Sequence, residues 1–195
     1  MPTSSRIEPA AESVRESAIA AVQTWIEKAV IGLNLCPFAK AVHVKKQIRY
    51  VVSTATDEDA LLEELAAELH TLHMIDAEVT DTTLLILTGM LADFLDYNDF
   101  LDSADELIET LELDGEIQIA SFHPDYQFAG TQADDIENYT NRSPYPILHL
   151  LRESSIDQAV AAYPDAKNIY EKNMETLRRI GHSGWQALNL NSRKQ

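Results

Sequence analysis

The sequence predicts an α/β fold: three to four strands in a largely parallel or mixed sheet, flanked by about five helices. Three observations predict it. Strand-like runs alternate with stretches of helical period, the signature of a sheet with right-handed crossovers. One run, Thr83-Leu84-Leu85-Ile86-Leu87-Thr88, is apolar through its middle, as suits a strand covered on both faces. The chain has 195 residues, 45% hydrophobic and 24% charged, enough to build a core without disulfides or a metal. Residues 1–9 are expected to form a flexible tail, 10–185 a single α/β domain and 186–195 a C-terminal tail. No internal repeat is present.

The elements follow in order. Val14, Ala18, Ala21, Val22, Trp25, Ile26, Ala29, Val30 and Leu33 recur at three- and four-residue steps and predict a helix over 10–33. It should stop near Asn34, because Pro37 disfavours helical geometry at Cys36. Arg49 to Ser53 is β-branched and aromatic, hence a strand. Leu61, Leu62, Leu65, Leu69 and Leu72 form the stripe of a helix over 57–73, with Thr56 as its cap and Asp57, Glu58 and Asp59 at the positive end of its dipole. After the apolar strand and Gly89, a helix spans 93–112 on Tyr97, Phe100, Leu101, Ala104, Leu107, Ile108 and Leu111. Asp114-Gly115 is a turn, and Glu116 to Phe122 a strand. Residues 123–146 are irregular, and such a long ordered connection is more often functional than a short one. Ile147 to Leu151 fits a fourth strand or a short helix. Ser154 or Ser155 can cap a helix ending near Tyr163. Pro164 and Asp165 open a last helix that Gly181 ends. Trp185 is expected to anchor the tail.

Charge narrows the function. Asp and Glu number 32 against 15 Lys and Arg, a net of −17. Phosphate repels such a chain, so no nucleic-acid partner is expected. No apolar run is long enough for a membrane span, the start lacks a signal-peptide core, and the single cysteine rules out a stapled secreted scaffold. A cytoplasmic location and no membrane partner are the expectations. The charge is uneven: residues 50–141 hold 23 acids and no Lys or Arg. This predicts two faces of opposite sign. An acidic face serves solubility, repels wrong anionic partners or supports self-association, including a homo-oligomer.

Three polar strings stand out: Asn34-Leu35-Cys36-Pro37-Phe38; Phe122-His123-Pro124-Asp125-Tyr126-Gln127-Phe128; and Asn141-Arg142-Ser143-Pro144-Tyr145-Pro146, running into His149 and Arg152. With Gly32-Leu33 before the first and His149-Leu150-Leu151-Arg152 after the third, the chain resembles a bacterial family, the domain-of-unknown-function family numbered 1415, from about Trp25 to Gly181. The resemblance carries no established reaction, so the chemistry must come from the residues.

His123 and His149 are the acid–base candidates, because histidine titrates near neutral pH. His149 lies in an apolar run, where a core histidine is the alternative. Arg142 is the first cation after the acidic stretch. With Arg152 it can grip a phosphate- or carboxylate-bearing small molecule, or merely offset nearby acids. Asn141 and Tyr126 can orient such a substrate, and Asp125 can fix a histidine tautomer. Cys36 is a nucleophile candidate if a new helix opening at Pro37 favours the thiolate; otherwise it is a small buried hydrophobe.

Other readings are weaker. His123-Pro124-Asp125 matches the J-domain tripeptide without the helical hairpin that tripeptide needs. A facial iron triad from His123, Asp125 and His149 lacks its usual barrel, and a zinc site from Cys36, His123 and His149 lacks paired ligand spacing. No glycine-rich phosphate loop or Gly-x-Ser-x-Gly elbow occurs, and no cofactor or metal is expected. Asn138-Tyr139-Thr140 and Asn141-Arg142-Ser143 match glycosylation acceptors, without meaning in the absence of a secretory signal. Two functions therefore stand: an enzyme acting on an anionic small molecule by histidine acid–base chemistry, or a non-catalytic acidic binding or assembly protein.

Overall fold

A computed structural model describes residues 8–162 and 168–190. Residues 1–7, Tyr163, the Pro164–Asp165 helix start and residues 191–195 lie outside the described residues. Six α-helices and four strands are described: α1 Glu8–Trp25, α2 Ala39–Val44, β1 Ile48–Ser53, α3 Glu58–Met74, β2 Thr82–Leu87, α4 Phe94–Thr110, β3 Ile117–Phe122, β4 Ile147–Arg152, α5 Glu153–Ala162 and α6 Ile169–Ala187. The sheet is mixed, in the order β1-β2-β4-β3. β1 and β2 are parallel, while β4 is antiparallel to both β2 and β3. The carboxyl ends of β1, β2 and β3 therefore share one edge of the sheet, where β4 begins.

Alternation along β4 sorts the two cores. Leu148 and Leu150 face one layer, with Leu61, Leu65, Leu69 and Leu72 of α3 and Tyr97, Phe100, Ala104 and Ile108 of α4. Ile147 faces the other, with Ala18, Val22 and Trp25 of α1, and Trp185 and Leu188 at the chain's far end. Every residue of β2 is buried, as its apolar run requires. Ile147 to Arg152 is a strand rather than a helix, since it fills the slot between β2 and β3.

Several boundaries differ from the sequence reading for local reasons. The first helix passes into a π-helical turn over Ile26–Ile31, and Asn34 then takes a left-handed φ of 55°. Asparagine tolerates that conformation, and the helix stops there. Asp57, not Thr56, caps α3: its backbone is extended and its Oδ1 accepts from the Ala60 amide. α5 starts directly at Glu153. The Ser155 hydroxyl bonds the Asp81 carboxylate instead of capping. Gly181 does adopt positive φ, 62°, but the chain resumes helical turns beyond it, to Ala187. Leu111 leaves its predicted stripe and is exposed. Among the described residues no helix is long and apolar enough to cross a membrane.

Candidate functional site

The loop 123–146 leaves β3 at the edge where β1, β2 and β3 end. His123 is its first residue and is fully buried, its ring beside Phe94 and Tyr97. The Asp125 amide donates to His123 Nδ1 at 3.0 Å. The ring proton therefore sits on Nε2, which donates to the Leu91 carbonyl at 3.1 Å. Burial pushes the His123 pKa down, against smaller upward pulls from the Leu91 carbonyl and from Asp125 and Asp93. His123 is thus a neutral staple between the end of β3 and the segment entering α4. Asp125 sets its tautomer through the main chain, while the Asp125 side chain is exposed.

His149 lies on the opposite face of the sheet. It projects toward α1, next to Phe122. Its Nε2 meets Thr82 Oγ1 at 2.7 Å. That hydroxyl donates to the Leu150 carbonyl, so the histidine is the donor of the pair. Desolvation pushes its pKa down to about 4. The two histidines therefore do not meet at one reacting centre.

The arginines separate as well. Arg142 precedes β4 and Arg152 ends it, so the strand alone sets them roughly 17 Å apart or more at about 3.3 Å per residue. Arg142 Nε donates to the Tyr126 carbonyl at 3.3 Å and Nη2 to the Ala133 carbonyl, with the guanidinium 4.3 Å above the Tyr139 ring. Arg152 Nη2 donates to the carbonyls of Leu72, Ile75 and Thr80 at 2.5, 2.6 and 3.2 Å. It closes the carboxyl end of α3, where a cation also suits the helix dipole. In place of one shared anion pocket, each arginine braces its own backbone segment.

Asn141 Nδ2 donates to the Ser121 carbonyl, and the Asn141 carbonyl accepts from the His123 amide. The Tyr126 ring packs between Phe94 and Phe128. Cys36 is half-buried in the turn before α2. Burial pushes its thiol pKa up, against the amides of Phe38 and Ala39, so the neutral thiol is favoured. The adjacent Leu35 carbonyl is tied to α6 by Asn173 Nδ2 at 2.8 Å.

The sequence reading missed the hub of the loop. Asn138 is fully buried. Its Oδ1 accepts from the Phe128 amide and the Thr131 hydroxyl, and its Nδ2 donates to the Gln132 carbonyl. It sits in a short 3₁₀ turn, Ile136–Thr140, that packs on α6. The Arg178–Glu137 pair at 2.6 Å and the Tyr139–Trp185 ring contact join the two. Only its position in a polar loop hinted at this role.

The family model described as "Protein of unknown function (DUF1415)" matches residues 17–187. The chain belongs to this family. No curated protein and no solved structure matches it. In this DUF1415 member the three polar strings meet around one loop and the helix that covers it. Asn173 ties α6 to the first string, His123 opens the second, and Asn141 links the third to the end of β3.

His149 has a pH consequence. Its folded pKa of about 4 lies below the ordinary value near 6.5. The unfolded chain then binds the extra proton between those values, so the contribution is fully present above about pH 6.5 and is lost as pH falls toward 4. At pH 5 the loss should be about 2 kcal/mol relative to pH 7.5. Denaturant unfolding of His149→Leu at both pH values should show a smaller drop than the parent by that amount. Equal drops would mean that His149 does not resist protonation in the fold.

Proposed function

We propose that this chain is a non-catalytic binding protein whose α3–α4 face docks a basic partner. One observation carries the reading. α3 and α4 pack side by side on one face of the sheet, and α4 turns Asp96, Asp99, Asp102, Asp105, Glu106 and Glu109 outward. These acids recur at three- and four-residue steps and form a ridge along the helix. Both helices fall inside the 92 residues that contain no Lys or Arg. The Arg49–Glu68 and Glu137–Arg178 ion pairs and the Glu27–His43 and His73–Glu116 contacts leave the ridge out. Lys28, Arg178 and Arg179 lie on helices that pack in the other layer, and Arg49 and Arg152 reach α3 rather than α4. Repulsion along the ridge costs stability, and a cationic partner relieves it. The enzyme reading loses support for a positive reason: His123, Arg142, Arg152 and Asn141 are already bonded to backbone within their own fold.

The test is sedimentation with an oligolysine peptide at low and high salt. Co-sedimentation at about 0.01 M salt should fade by about 0.15 M, as the screening length falls from about 30 to 8 Å. The triple variant Asp99→Asn, Asp102→Asn, Glu106→Gln should bind about tenfold more weakly at low salt. Profiles unchanged by salt, peptide and variant would rule the reading out.

A further inference from the structure

We infer that the partner is anchored by one bulky apolar side chain, flanked by lysines or arginines, in the groove where α3 and α4 end. This rests on the docking reading above and adds where the partner sits and what it must carry. The groove is a hollow of about 410 Å³ lined by His70, His73, Met74, Leu111, Glu112, Leu113 and Glu116. Met74 is 68% exposed and Leu111, the residue just past the end of α4, 38%. The hollow is open on one side and large enough to seat a bulky side chain with part of its neighbours. Methionine adapts to varied apolar shapes, which fits a surface that receives a foreign side chain.

The surroundings select the flanking charge. Glu112 and Glu116 rim the groove, and Glu109 continues the rim into the α4 ridge. An apolar anchor between anions is complementary to an apolar residue between cations. His73 and Glu116, in contact at 2.9 Å, line both this groove and a second hollow that Arg152 also lines. A basic segment therefore runs from Met74 and Leu111 along α4, away from that cation.

A second copy of this chain offers a matching tip: Val44 is 69% exposed and precedes Lys45 and Lys46. Two chains of −17 each repel as wholes, however, and a foreign basic segment meets no such opposition. The occupant assigned here is therefore a separate basic protein segment.

The test uses two fluorescent peptides, lysines around a central leucine and the same lysines around a central serine, read by anisotropy on the full chain. The leucine peptide should bind about tenfold tighter, a difference of about 1.4 kcal/mol, because it buries an apolar side chain that serine lacks. Met74→Asp with Leu111→Asn should erase that preference. Both side chains are exposed, so the melting temperature should hold, and binding of the serine peptide should persist. Equal binding of the two peptides overturns the anchor and leaves the acidic docking face standing. A leucine preference that survives the double variant also overturns it. Binding of neither peptide removes both readings. Salt-stable self-association abolished by Lys45→Glu would replace the foreign segment with a second copy.

Discussion

Arg152→Met should lower the unfolding free energy by about 3 kcal/mol. The side chain ends β4 and reaches three carbonyls near the carboxyl end of α3, namely those of Leu72, Ile75 and Thr80. Hydrogen bonds to a charged group contribute roughly 1.5–3 kcal/mol each, but here one nitrogen serves three acceptors and the gain is shared. Arg152 Nε is buried without a partner, which takes some of it back. Methionine keeps the apolar stem and removes every donor, leaving helix-end carbonyls unsatisfied. Arg152→Lys should recover less than half, because a compact ammonium is more strongly hydrated than a guanidinium and costs more to bring against these carbonyls. Denaturant melts with unchanged slope would measure both. A loss under about half a kcal/mol in the methionine variant would mean that water takes over these carbonyls at no cost.

Asn138→Ala should cost about as much, roughly 3 kcal/mol, and its effect should appear first in the loop. One amide side chain serves the Phe128 amide, the Thr131 hydroxyl and the Gln132 carbonyl from a fully buried position. Alanine removes all three bonds and leaves a void. Asn138→Asp keeps the acceptor but loses the donor to Gln132 and buries a charge, so it should not rescue. Limited proteolysis should cut between residues 123 and 146 well below the melting temperature in both variants, and not in the parent. Cleavage that begins only with global unfolding would show that the loop does not depend on this hub.

Much of the fold was legible because the hydrophobic period is a direct record of burial. The run at residues 83–88 announced a strand covered on both faces, and β2 is buried at every position. Leu61, Leu65, Leu69 and Leu72 announced the inner face of α3. The misplaced cap at Thr56 reflects two adjacent residues that can both cap. Backbone geometry decides for Asp57, and period does not encode it. The candidate site was legible only as residue types. His123, Asn141 and Arg142 were singled out as polar and unusual. Their partners are mostly main-chain groups distant in sequence, Leu91, Ser121 and Ala133, which carry no side-chain signature. Asn138 was invisible for the same reason. The acidic face was legible from charge counting alone, because α3 and α4 both come from the cation-free stretch.

The position of β4 bears on how the chain reaches this state. It is the last strand in sequence and yet sits between β2 and β3. Until residues 147–152 arrive, β2 has only β1 beside it and β3 has no neighbour. Both then expose unpaired backbone along an edge. Closing the sheet joins Thr82 to Leu151 and Ile86 to Ile147, pairs more than 60 residues apart, and such long-range pairing raises the contact order that slows folding. The like charges carried by α3 and α4 then gain a second role. On a chain whose sheet still lacks the central strand, they would oppose edge-to-edge pairing with a neighbour.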